Sequence, residues 1–416
     1  MYLTIKLKRS DIYIYWAAAI FLYVHLIGFS PFPEVNYGRD VTDTGGGNRL
    51  RQIIFLGLFL YTIMMLGVSK LPKFNFLLQN KTLVLLAFWF LLSSFWSDEP
   101  GITIRRSVFF LIVCFIPIVL CSIVGFRRFI KINAYILSFF IVFSIVCSLI
   151  FSGAVHHGEV FDTALNGAWR GLFSHKNNAA IIASISGFIF LYQYFEENKK
   201  FWLLMFLLTL LFLLLTKSKT SIALFLPVVF FTWRLSKGRF IKYFCSFIFA
   251  LSLVTPLLFL FSFAQLNYFL IENPEMFTGR SAIWQVLLEA ISGNYILGLG
   301  YGAVWSAGEY SAITNFGLNT SSWVSSISHG HNGYLDIWLS TGIVGLLLFT
   351  FLLFKALKNI ADVYGISNNE KFICLSIIFF LVLHNFLESS FTVYYSPGWY
   401  FFLLTYCLKF KKKASN

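Results

Sequence analysis

The feature that most constrains this chain is the recurrence of charge-poor apolar blocks close to the roughly 20-residue length that spans a bilayer core. Such blocks fall near residues 12–29, 52–69, 82–96, 107–125, 132–152, 177–195, 201–216, 220–233, 243–264, 332–354, 372–388 and 390–408. Backbone polar groups within lipid must be satisfied inside the protein, and continuous blocks of this length do so as helices. The expected fold is an all-α polytopic membrane protein of about 12 transmembrane helices, with residues 1–416 forming a single integral membrane domain. An aqueous fold is excluded because 58% of the residues are hydrophobic and only 12% charged, against about 25% charged in a soluble domain.

The net charge of +14 would suit a nucleic-acid partner, but the basic residues sit in the short connections between apolar blocks, so no nucleic acid is expected. Counted on alternate sides of the blocks, 22 of the 32 Lys and Arg fall on the side that holds Lys6, Lys8 and Arg9, and 10 fall on the other. The positive-inside rule then places both termini in the cytoplasm. The first block lacks a small-residue cleavage site and reads as a retained helix. Six cysteines, Cys114, Cys121, Cys147, Cys245, Cys374 and Cys407, lie within apolar blocks without metal-ligand spacing and read as packing residues.

With this sidedness the long connections, 30–51, 152–176 and above all 265–331, face outward, and function is sought there. The segment 265–331 carries Trp284, Trp305, Trp323 and the glycines of Gly298-Leu299-Gly300-Tyr301-Gly302, too aromatic a composition for a disordered linker. It is expected to pack as short helices over the membrane surface. No internal repeat of the kind that builds many transporters is present.

The sharpest local pattern lies where this loop enters the tenth block, His329-Gly330-His331-Asn332-Gly333-Tyr334-Leu335-Asp336, with Gly342 and Gly345 beyond it. His331 and Asn332 can simply cap and solvate a helix start while the glycines admit a close neighbour. His331 can equally serve as a general base, since imidazole is the side chain that ordinarily titrates near neutrality. Asp336, a carboxylate inside an apolar block, is a functional candidate by default, able to orient His331 or to pair with a cation. His156 and His157 read as solvated loop residues, and His175 reads either as a site residue or as an interfacial anchor.

The run His331-Asn332, with Gly342 and Gly345 following, resembles the signature of the O-antigen ligase and Wzy-type polymerase family. It is joined, in the family's order, by Leu215-Thr216-Lys217-Ser218-Lys219-Thr220-Ser221, by Gly279-Arg280-Ser281 with Trp284, and by the Gly298–Gly302 turn. The resemblance covers about Leu211 to Gly345. A second segment, Arg170-Gly171-Leu172-Phe173-Ser174-His175-Lys176-Asn177, is similar to one found in polysaccharide-polymerising members.

The resemblance implies a glycosyltransferase C-like membrane fold in the bacterial inner membrane, with the active site in the large periplasmic loop and its surroundings. It implies transfer of a glycan from an undecaprenyl-diphosphate-linked oligosaccharide donor, without a metal or other cofactor. It assigns the base to His331 and diphosphate binding to Arg280. Lys219 stands where the family has an arginine, which keeps the charge and loses the bidentate fork. Arg170, His175, Asn332 and Asp336 complete the substrate-binding candidates. Independently of any family, no D-x-D run is present to hold a divalent metal, Asp40-Val41-Thr42-Asp43 being the nearest approach, so cationic side chains are left to stabilise a departing diphosphate.

Arg39, Arg49, Arg51, Arg105, Arg106, Arg170 and Lys176 offer either a basic vestibule for the donor's diphosphate or for acidic sugars, or an ordinary solvated rim. The outer cations suffice for two diphosphate-bearing lipids, which suits a polymerase whose acceptor is another lipid-linked repeat unit, with a chain-length regulator as a partner. The alternatives are a ligase that delivers the glycan to the lipid A core and a transporter of lipid-linked glycan. The polymerase is the expectation taken forward, on the strength of the Arg170–Asn177 segment and the spread of outer cations.

Overall fold

The computed structural model describes residues 9–29, 48–69, 81–157, 165–238, 241–261, 265, 268–269, 280–305, 329–362, 365–391 and 396–410. Arg39, Gly279, Trp323 and the tail Lys411–Lys413, which figure in the sequence reading, lie outside them.

The helices in chain order are α1 (Arg9–Leu22), α2 (Arg49–Val68), α3 (Lys81–Leu92), α4 (Pro100–Val124), α5 (Phe126–Ile150), α6 (Lys176–Glu197), α7 (Lys200–Leu215), α8 (Lys219–Ser236), α9 (Ile241–Phe261), α10 (Arg280–Gly293), α11 (Gly333–Asp362), α12 (Asn368–His384) and α13 (Pro397–Tyr406). Every apolar block is occupied by a helix, and among the described residues α10 is the additional one, inside the segment 265–331. Among the described residues, α2, α4, α5, α6 and α11 are long and apolar enough to cross a membrane, and shorter apolar helices run over Ile12–Ile27, Lys81–Phe95, Lys200–Leu215 and Ile241–Leu253. Extended pairing among these residues is confined to one bridge, Val155 to Trp169. The protein is an all-α, multi-spanning membrane protein.

Burial separates centre from rim. The apolar window of α6 is 83% buried by the rest of the protein, whereas that of α2 is 17% buried and turns Leu56, Leu60 and Met64 outward. Every residue of α13 is buried, and α12 packs against α6, α8 and α13. All six cysteines are buried and form no disulfide with one another. At one end of the bundle Arg127 Nε meets Glu370 Oε1 at 2.8 Å, where Glu370 also closes a capping box with Ser367 at the start of α12. The opposite end holds the candidate site.

One helix is broken, and the break explains the glycine-rich turn. Within α11, Gly342 sits at φ 67°, ψ −177°, a backbone only glycine adopts readily. Carbonyls freed at such a break cost several kcal/mol each in an apolar medium unless other donors reach them. Leu299 N bonds Leu339 O at 2.8 Å, Gly300 N bonds Ser340 O at 3.0 Å, and Trp89 Nε1 bonds Thr341 O at 2.9 Å. Past the break, Ile343 N finds Tyr295 O at 3.1 Å. A Cβ on Gly298 would lie 2.5 Å from Gly342 N, and one on Gly342 would lie 1.9 Å from Ile296 O. The two glycine motifs are thus halves of one backbone-to-backbone joint, which seats the segment 294–305 against the upper part of α11.

Candidate active site

Four helix starts converge at this end. Asn177 lies in the first turn of α6, Ser218 caps α8, Arg280 opens α10, and His331 immediately precedes the cap of α11. They gather around Glu388, which follows the C-terminus of α12 and whose side chain is 5% exposed. Its Oε1 accepts from Arg280 Nη2 at 2.6 Å and from Asn177 Nδ2 at 3.0 Å, and its Oε2 lies 3.1 Å from His331 Nδ1. Aligned helix starts carry partial positive charge, so this buried carboxylate sits in a field that favours anions.

The electrostatics follow from that placement. Burial alone would push the Glu388 carboxyl up, but the hydrogen bond and charge of His331, with Arg280 beside it, outweigh burial and hold it well below the usual carboxylate range. An ionised carboxylate can only accept. Nδ1 is therefore the donor in this contact, and a neutral His331 ring with that tautomer has its lone pair on Nε2; the side chain is 22% exposed. His331 is held at φ 48°, in the left-handed region that non-glycine residues enter rarely.

That turn is pinned from both sides. Trp284 Nε1 donates to Gly330 O at 3.1 Å, and Gly330 N donates to both oxygens of Asp336 at 3.1 Å. Asp336 also accepts from Trp305 Nε1 at 2.9 Å and from the Ser389 hydroxyl. Gly330 precedes His331 and Ser389 follows Glu388, so the Asp336 carboxylate ties together the residues flanking both partners of the dyad. Asn332 caps α11, its Oδ1 accepting from Tyr334 N at 3.1 Å and Leu335 N at 3.2 Å.

From Asn177 a polar chain runs inward. Ser218 Oγ donates to Asn177 Oδ1 at 3.1 Å, Ser221 Oγ lies 3.5 Å from Ser218 Oγ and 3.0 Å from His384 Nε2, and His384 Nδ1 meets Ser390 Oγ at 2.8 Å. It orients Asn177 and hence Glu388 through side chains fixed on α6, α8 and α12.

The remaining sequence candidates are placed as follows. Lys219 is exposed at the first position of α8, with no ion pair or hydrogen bond to the cluster among the described residues; its neighbours Ser218 and Ser221 make those contacts. Arg170 is buried, its Nε on Gly153 O at 2.8 Å and Nη1 on Ser174 O at 3.2 Å, so it braces the connection between α5 and α6. His175 caps α6, its Nδ1 accepting from Asn177 N at 3.2 Å, and burial, with His156 alongside, lowers its pKa from 6.5 to about 3. His329 lies against His331 with ring centroids 4.2 Å apart and planes tilted by 44°, and burial followed by the His331 charge lowers its pKa likewise to about 3.

Two expectations are corrected here. His156 is not solvated: it is 2% exposed, and its Nε2 accepts from Lys176 N at 3.3 Å, because the pairing of Val155 with Trp169 folds the loop back over the start of α6. Arg106 is not a rim cation: it is buried, with Nη1 on Gly302 O and, at 2.8 Å, on Trp305 O, where it braces the end of the glycine-rich segment.

Sequence reasoning passed over Glu388, the hub of the cluster. A carboxylate closing the apolar block 372–388 met the same rule that singled out Asp336, and that rule would have found it.

The fold and site define a multi-spanning α-helical membrane protein with a carboxylate, an imidazole and a guanidinium locked together at one end of its bundle. Residues 204–350, which include Arg280 and His331, match the O-antigen ligase family model. It is also 28% identical over 305 residues to a Rickettsia felis protein provisionally named a polysaccharide ligase, covering 70% of this chain and 71% of the relative.

Proposed function

We propose that this protein is a membrane glycosyltransferase that moves a glycan from an undecaprenyl-diphosphate carrier onto the lipid A core, the ligase reaction. The observation that carries the reading is the Glu388 carboxylate held between His331 and Arg280. An acceptor hydroxyl attacks the anomeric carbon and gives its proton to His331 Nε2 as the bond to the diphosphate breaks. Glu388 holds the opposite nitrogen, fixing the tautomer and favouring the imidazolium that forms. The other N–H groups of Arg280, together with the converging helix starts, stabilise the departing diphosphate. These groups supply the charge stabilisation without a metal.

The same reading puts the site on the outer, periplasmic face of the inner membrane, at the end of the bundle opposite the basic cytoplasmic connections, with about 12 crossings and a glycosyltransferase C-like arrangement. The loop 265–331 is then the outward active-site loop, and Lys219 is an exposed cation at the first position of α8.

Ligation is favoured over the polymerase expected from sequence on two grounds. The family and the Rickettsia felis relative both bear ligase names. The cations that would have greeted a second diphosphate lipid are partly spent inside the protein, Arg170 and Arg106 on backbone carbonyls.

Reconstitution tests this. Purified protein given lipid-diphosphate-linked glycan is expected to form product only when lipid A core is added, in the presence of a chelator. A ladder formed without core would make the protein a polymerase, with repeat-unit acceptors and a chain-length regulator as partners. Carrier-linked glycan moved across vesicles without any new bond would make it a transporter.

A further inference from the structure

The turn that opens α11 carries a second histidine, His329, to which the proposed transfer assigns no role. One ligand atom from each of His329, His331 and Glu388 lies within 4.8 Å of the other two. His331 Nδ1 and Glu388 Oε2 are already 3.1 Å apart. Two ligands bonded to one zinc ion at about 2.0–2.1 Å stand roughly 3.3 Å from each other in a tetrahedron, so this pair needs almost no movement to share a metal. His329 comes from the same short turn and has to move closer to complete the set.

We propose that His329, His331 and Glu388 form a binding site for a divalent transition-metal ion of zinc's ligand preference, and that its occupation switches the transferase off. Two imidazoles and one carboxylate are a zinc ligand set that leaves a fourth position for water. Magnesium and calcium, which require mostly oxygen ligands, are not served by it. The metal takes the place of the proton between Nδ1 and Oε2, and that proton is carried to Nε2, so the ring stays neutral. Arg280 and Asn177 keep Oε1 and hold the carboxylate for the ion.

The inhibitory half rests on the transferase reading. A neutral imidazole bound to metal through Nδ1 carries its proton on Nε2 and can no longer accept one from the acceptor hydroxyl. The metal-binding half stands on geometry alone.

The test uses the full chain in detergent or lipid nanodiscs, titrated with Co²⁺ and followed by visible absorption, with Zn²⁺ as competitor. The parent is expected to bind one Co²⁺ with the intense bands of a four-coordinate site and to lose them on adding Zn²⁺. His329→Gln and, independently, His331→Gln should weaken binding tenfold or more. In the transfer assay, zinc should silence the parent and a chelator should restore it. His329→Gln should transfer as the parent does and resist zinc at the concentration that silences the parent. Absence of cobalt bands in the parent, or unchanged binding in His329→Gln, would overturn the site. Stimulation by zinc would overturn its inhibitory role. If the metal-free parent transfers no glycan while cobalt binding follows the expected pattern, the transferase reading fails and the metal site stands.

Discussion

His331 Nδ1 lies 3.1 Å from Glu388 Oε2 although 57 residues separate them in the chain. The contact joins the turn before α11 to the segment after α12, and it converts an interfacial histidine into an oriented one. Removing either partner should therefore damage transfer far more than folding. Glu388→Gln keeps the shape and the hydrogen bond to Arg280 but loses the negative charge that favours the imidazolium, and transfer should fall by roughly 10²-fold or more. For His331, Asn is the informative replacement, because it tolerates the left-handed backbone at φ 48° while removing the base. Both variants should accumulate in the membrane at parental levels. Normal product yield from His331→Asn would remove the base assignment.

Arg280 serves two anions in the proposed reaction, the Glu388 carboxylate at 2.6 Å and the departing diphosphate. Arg280→Lys retains the charge but cannot hold one anion with one edge and present another to the second. It is expected to keep partial activity with the loss concentrated in kcat, while Arg280→Ala should be inactive. Steady-state kinetics on the reconstituted protein separate these outcomes. Equal activity of Arg280→Lys and the parent would mean that point charge alone suffices.

The positions of the helices were legible in the sequence because lipid imposes both length and polarity on each span, and every apolar block is filled by one. Which charged residues do chemistry was less so. Arg170 and Arg106 read as outward cations from their place between blocks, yet each is buried on carbonyls of a folded connection that no span pattern encodes. Glu388 closes an apolar block, where the rule applied to Asp336 would have marked it, but only the folded chain brings α6, α10 and the turn before α11 around it. The glycines at 298, 300 and 342 were visible as motifs, but their mutual contact is a tertiary fact.

The low pKa of His175 gives a pH dependence with a definite sign. Its folded value of about 3 lies below the ordinary 6.5, so between these limits the unfolded chain binds a proton that the folded chain does not. Stability is then undiminished above pH 6.5 and is lost as pH falls toward 3. His175→Asn, which can still cap α6, should flatten this decline. Melting temperatures of parent and variant in detergent at several pH values would show it; parallel curves would mean that His175 is not a source of the acid sensitivity.

The joint between Gly342 and the 294–300 segment should be a stability determinant rather than a catalytic one. A Cβ at Gly342 would sit 1.9 Å from the Ile296 carbonyl oxygen, and the residue would have to hold φ 67° as well. Left-handed strain of about 1–2 kcal/mol and overpacking of about 1–3 kcal/mol both apply. Relief requires parting the two segments, which frees the carbonyls of Leu339 and Ser340 inside the protein. Gly342→Ala is therefore expected to lower the melting temperature sharply or to prevent accumulation in the membrane. Gly57→Ala on the peripheral helix α2, where a Cβ would meet nothing within 4 Å, should be neutral and serves as the control. If Gly342→Ala melts with the parent while transfer is lost, the joint acts on the site directly and not through the stability of the fold.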